Sequence, residues 1–127
     1  MRVSREEFRK LVAEAIEDVP EQFRAYLDNL AVEVEPIPDR SARGRLRSVG
    51  LTDPRDLLGI YEGTPLTERS VEQPTRWPER IVVYQDNIQR ICRTRRQIVR
   101  QVRKTVLHEI GHHFGLEEED LEELGYG

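Results

Sequence analysis

The sequence predicts an α+β fold in which N-terminal helices and a long C-terminal helix pack on a small sheet. Three observations lead there. Apolar residues recur at helical spacing near the N-terminus and again from about Arg95 to Phe114. Between these stretches stand three short runs of strand character. No segment repeats, and 127 residues suit a single domain, 1–127, able to bury one core without disulfides. The order helix, helix, strand, strand, strand, helix is that of a sheet packed on helices.

Each element has its own local signal. Ser4 followed by Glu7 is a capping box, and Phe8, Leu11, Val12, Ala15, Ile16 and Val19 share one helical face. Pro20 starts a second short helix whose apolar side is Phe23, Tyr26, Leu27 and Leu30. From Ala31 to Glu35, Val32 and Val34 alternate with acids, the pattern of a half-buried strand ended by Pro36 and Pro38. The Arg-, Ser- and Gly-rich stretch from Asp39 to Gly50 reads as a loop or irregular crossing. Leu57 to Glu62 is a short strand bounded by Pro54 and Gly63, and Gly63 to Pro78 is irregular, with Trp77 its large aromatic. Ile81 to Gln85 carries the strongest strand pattern, with Asp86-Asn87 expected to turn after it. The long helix from Arg95 to Phe114 is expected to stop at Gly115, and Leu121 and Leu124 are spaced for one further amphipathic turn.

Composition narrows the setting. Charged residues make up 35% and hydrophobic ones 37%, and no apolar run approaches the roughly 18–20 residues that cross a bilayer. The opening MRVSREEFRK lacks an apolar signal region, and one cysteine, Cys92, fits a reducing compartment, so a cytoplasmic protein without membrane attachment is expected. The net charge of −4 conceals segregation: seven basic residues and no acidic one lie between Arg90 and Lys104, six acids and no base between Glu117 and Glu123. The basic run overlaps an apolar stripe in an acidic chain. It therefore reads as a solvated helix face whose Arg stems cover apolar surface, and nucleic acid is not an expected partner.

The chemistry concentrates in His108-Glu109-Ile110-Gly111-His112-His113-Phe114-Gly115. On a helix, H-E-x-x-H places two histidines one turn apart on one face, where both imidazoles can reach one Zn2+ at about 2.0–2.1 Å. Glu109 stands beside that face, placed to take a proton from water at the metal and pass it to a leaving amine. At about 100° per residue, Val99, Val102, Val106, Ile110 and His113 form a core-facing stripe. His108 and His112 fall roughly opposite, with Gln101 and Thr105. They are thus expected to face solvent or a cleft.

A catalytic zinc takes three protein ligands and a water. A ligand on a later helix needs more chain than the fifteen residues that follow His112, so expectation falls on a nearer group. A sharp turn at Gly115 would return Glu118, six residues past His112, to the metal; Glu117, Glu119 and Asp120 remain alternatives. His113 is expected to be buried and hydrogen-bonded, and Cys92 to belong to the core. Gly111, costly in mid-helix by about 1 kcal/mol, points to close packing or to access to the metal.

With HEIGHHFGLEEEDL, LLGIYEGTPLTERS (residues 57–70) and PERIVVYQDNI (residues 78–88), the chain resembles the small zincin-like metallopeptidases of bacteria, a minimal family with an HExxHxxG-type helix near its C-terminus. The resemblance covers about the last 70 residues closely. It implies a zincin-like α+β fold with a small mixed sheet, His108 and His112 as ligands and Glu109 as catalytic glutamate. The position of Glu118 is more often aspartate in that family. The resemblance also implies an edge strand that pairs with extended substrate; Ile81 to Gln85 would be that strand, with Val83 and Tyr84 touching a peptide or protein substrate, and the alternative is that this run is ordinary sheet core. The methionine turn of larger metzincins has no counterpart, since Met1 is the one methionine. For the group that stabilises the oxyanion, Tyr84, Tyr126 and His113 are the candidates. The expected function is zinc-dependent peptide hydrolysis, and the alternative is an inactive zincin-fold module that binds metal or a regulatory partner. Oligomeric state is not legible.

Overall fold

The computed structural model describes residues 1–28, 30–63 and 79–114. Helix α1 (Arg5–Glu17) begins as expected, with Ser4 Oγ accepting the Glu7 N–H at 3.1 Å. It buries Phe8, Leu11, Val12 and Ala15. Helix α2 (Glu21–Leu27) follows Pro20, whose ring fixes the entry of the chain. Strand β1 (Ala31–Glu35) keeps Val32 and Val34 half-buried.

The Asp39–Gly50 stretch is more ordered than a loop. Asp39 accepts the Ala42 N–H at 2.8 Å and nucleates α3 (Arg40–Arg43). A 3₁₀ turn, Leu46–Val49, then ends at Gly50, whose φ of 76° only glycine adopts freely. Ala42 and Leu46 supply the apolar anchor that composition concealed. A second 3₁₀ turn, Pro54–Asp56, leads into β2 (Gly59–Glu62), shorter than the expected Leu57–Glu62.

Strand β3 (Arg80–Tyr84) lies at the centre of the sheet, in the order β1-β3-β2, parallel to β1 and antiparallel to β2. The mixed sheet matches expectation; the place of β3 does not. With a strand on each side and both faces covered, Ile81, Val82, Val83 and Tyr84 are all 0% exposed. The two faces build two cores. Ile81 and Val83 join Tyr61 against α1 and the long helix α5 (Arg95–Phe114), while Val82 and Tyr84 meet Ala42, Leu46, Leu57 and Ile60. Arg80 ties the strands together, paired with Glu33 of β1 and, at 2.7 Å, with Glu62 of β2.

No turn forms at Asp86-Asn87. Helix α4 (Gln85–Ile91) starts directly from β3. Asn87 Nδ2 donates to Pro54 O at 2.9 Å and Leu57 O at 2.6 Å, and Ile88 is fully buried. These tertiary partners outweigh the turn preference of Asp-Asn. Gln89 Oε1 accepts the Val3 N–H at 2.7 Å, and the Met1 ammonium donates to the Gln89 and Cys92 carbonyls. Cys92 is buried, as expected.

Helix α5 spans the residues its pattern predicts, with Ile98, Val102, Val106, Leu107 and Ile110 fully buried. It lies directly under β2 because Gly59 has no side chain. A Cβ there would meet Thr105 Cγ2 at 2.6 Å and Val82 O at 3.0 Å. Gly59→Ala is expected to lose about 1–3 kcal/mol in urea unfolding, and Thr105→Ser in the same chain, which removes the methyl, to recover part of it. Unchanged stability would contradict this seating of the strand.

Candidate metal centre

The last two turns of α5 carry the chemistry. His108 is half-buried, His112 is exposed, and their rings lie 6.4 Å apart, centroid to centroid, inclined at 34°. Both line one cleft of 710 Å³ between α5 and the segment that runs from Arg45 through β2. The histidines thus face a cleft, on the side of α5 where Gln101 and Thr105 also stand. Two imidazoles sharing one tetrahedral ion have centroids roughly 5 Å apart by zinc–nitrogen distances. The observed separation is about 1 Å longer, and two imidazoles one helical turn apart are donors of the kind zinc takes.

Among the described residues no third His, Cys, Asp or Glu completes a ligand set. The expected third ligand Glu118, its rivals Glu117, Glu119 and Asp120, and the turn at Gly115 lie outside the described residues. So do Tyr126, Trp77, Leu121 and Leu124.

Glu109 reaches from α5 to the sheet. Its Oε2 accepts the N–H of Tyr61 at 3.2 Å. Burial pushes its carboxyl above the usual carboxylate range, opposed by the Tyr61 hydrogen bond and by the nearby charges of His112 and Arg45. A carboxylate raised in this way accepts a proton more readily than an exposed one.

His113 is half-buried rather than fully enclosed, its ring stacked on Tyr61 with centroids 3.9 Å apart and planes 19° from parallel. This stacking fixes the Tyr61 ring beside the strand amide that holds Glu109. Gly111 is buried on the same helix.

The substrate-contact reading of Val83 and Tyr84 is corrected. Both belong to the central strand and have no exposed surface, because β1 and β2 occupy the two edges of β3. Among the described residues the edge beside the histidines is β2. Tyr84 also drops out as an oxyanion stabiliser: it sits in the core beneath Leu46 and Leu57, where burial raises its phenol well above the usual range. Two cleft residues had no role in the sequence reading. Tyr61 was legible only as part of an apolar run. Arg45 sat in a stretch read as irregular, and its Nη2 donates to Tyr61 O at 3.3 Å. Composition offers no signal that singles it out among so many arginines.

The family described as zincin-like metallopeptidase matches residues 27–127, and the chain belongs to that family. The match reaches back to the end of α2, well beyond the last 70 residues, and leaves α1 outside. No curated protein matches the chain. No helix among the described residues is long and apolar enough to cross a membrane.

The raised carboxyl of Glu109 has a stability consequence. Its folded-state pKa lies above the unfolded one, so the penalty for ionising it builds as pH rises through that interval and is absent below it. Gln keeps an acceptor for the Tyr61 N–H but carries no charge. Metal-free Glu109→Gln should therefore melt above the native protein at pH 7.5, and the gap should close below about pH 4. Calorimetry at the two pH values checks this, and an equal gap at both would contradict a desolvation cause.

Proposed function

We propose that the protein is a zinc-dependent peptidase. The observation that carries this reading is the joint placement of His108, Glu109 and His112 in one cleft, with the glutamate anchored to the adjoining edge of the sheet. His108 and His112 would hold the zinc, with a carboxylate from the Glu117–Asp120 run, Glu118 first among them, as third ligand. When bound, zinc supplies Lewis acidity, which makes water a usable nucleophile near neutral pH. Glu109 accepts the proton of the attacking water on a carboxylate oxygen and hands it to the leaving amine. An extended peptide lies in the cleft beside β2, which replaces Ile81–Gln85 as the bordering strand, and Glu109 and Arg45 already hold the outward main-chain groups of Tyr61. Family membership supports the metal and the reaction class. A mixed cleft wall supports peptide binding, with Val49, Leu51 and Leu58 facing the polar residues of α5.

The test is elemental analysis joined to a peptide-library digest, on protein prepared without chelators. Native protein should carry one zinc per chain and His112→Ala should lose it. Glu109→Gln should keep the zinc while hydrolysis falls by about 10²–10⁴-fold. Native protein that takes up no zinc when it is supplied would overturn the metal site. Zinc bound without turnover by native protein would leave a metal-binding zincin-fold module.

A further inference from the structure

The outer edge of β2 is bounded by two side chains of opposite charge. Tyr84 N donates to Leu58 O at 2.9 Å, and Ile60 stands opposite Val82. In an antiparallel ladder bonded and non-bonded pairs alternate, so Leu58 and Ile60 turn their main-chain groups toward β3 while Gly59 and Tyr61 turn theirs away. The outward N–H of Tyr61 is held by Glu109 and its outward C=O by Arg45. The two groups of one strand residue lie on the same edge, which sets the guanidinium one peptide unit along the strand from the proposed catalytic carboxylate.

Arg45 is built into place. Its N–H donates to Ala42 O at 3.0 Å, and its C=O accepts both the Ser48 N–H and the Ser48 hydroxyl, so the backbone between α3 and the following 3₁₀ turn is pinned on both sides. Arg55, Arg80, Arg90, Arg95 and Arg103 each pair with a carboxylate, whereas Arg45 has no ion pair among the described residues. Among the described residues one of its five N–H donors is used, on a neutral carbonyl. Glu109, on the other main-chain group of Tyr61, feels the Arg45 charge without forming an ion pair with it, and Asp56 on the cleft wall is already engaged by Arg90 at 3.1 Å.

We propose that Arg45 is a specificity residue, receiving a carboxylate of the peptide next to the unit that lies over Glu109. The guanidinium fork matches a carboxylate in two parallel hydrogen bonds, a geometry that neither a Lys nor a carbonyl partner reproduces. Substrates would then be peptides with an acidic side chain, or a free C-terminus, close to the cleaved bond. Lys104, exposed on α5 one turn before His108 and lining the same cleft, adds a second positive charge to the approach. This inference rests on the peptide-site reading above.

The experiment measures binding rather than turnover, in zinc-supplied Glu109→Gln protein. The probes are fluorescent octapeptide pools, acetylated and amidated, in which Glu, Gln or Lys is fixed at each position in turn. One Glu pool should bind about tenfold tighter than its Gln counterpart. Arg45→Gln should abolish that preference, Arg45→Lys should retain part of it, and Arg45→Glu should transfer it to the Lys pool. Pools with free C-termini and no fixed acid separate the two sources: a gain there assigns the carboxylate to the chain end, a gain confined to fixed Glu assigns it to a side chain. Thermal midpoints and zinc content identify any variant whose fold has changed. Equal binding of Glu and Gln pools, or a preference that survives Arg45→Gln, overturns the role of Arg45 and leaves the peptide site standing. Failure of every pool to bind overturns the peptide-site reading itself, and this inference with it.

Discussion

Direct contact between β2 and α5 is the constraint on which the site depends. At Gly59 the strand has no side chain, and the methyl of Thr105 occupies the space where one would project. That approach sets the height of the sheet edge over the helix. It leaves the Tyr61 amide within 3.2 Å of Glu109, one residue from His108 on the helix. A bulkier residue at position 59 would lift the edge and separate the carboxylate from its donor. The cleft, the anchored glutamate and the outward edge of β2 all follow from one missing Cβ.

The sheet that bears this edge is short, so its rigidity has other sources. Strand β3 is buried on both faces and paired on both edges, which makes it the axis of the fold. Arg80 couples it to acids on β1 and β2, and the Asn87 amide clasps the carbonyls of Pro54 and Leu57 just before β2 begins. The Arg80–Glu62 pair and the Asn87 clasp hold β2 in place beside β3. Against this background Glu109 is the exception, a half-buried carboxylate at the cleft raised above its ordinary pKa. Proteins commonly hold such locally unfavourable groups at sites of function.

Much of the architecture was legible because it is written in local patterns. The Ser4 cap, the 3.6-residue stripe of α5 and the alternation in β1 each depend on neighbours in the chain. The His108, Glu109 and His112 constellation was legible for the same reason, since i and i+4 on a helix are neighbours whatever the rest of the fold does. The readings that did not survive involve partners distant in sequence. Asp86-Asn87 has the composition of a turn, but Asn87 meets carbonyls some thirty residues earlier and the chain there is helical. The run around Ile81 is compatible with an edge or a core strand, and its central place depends on neighbours, one parallel and one antiparallel, set by chain crossings that no local pattern encodes.

The sequence by itself determined the class of fold, the long helix, its two faces, and the residues on it suited to bind a metal and move a proton. These properties follow from helical periodicity and side-chain chemistry, which act over a few residues. Only the tertiary structure decided that β2 rather than β3 borders the cleft, that the Tyr61 amide meets Glu109, and that Arg45 stands at the same edge with no ion pair among the described residues. Those facts depend on which strand lies over the helix and how closely it approaches. That distance is set by steric contact between residues far apart in the chain, here Gly59 and Thr105.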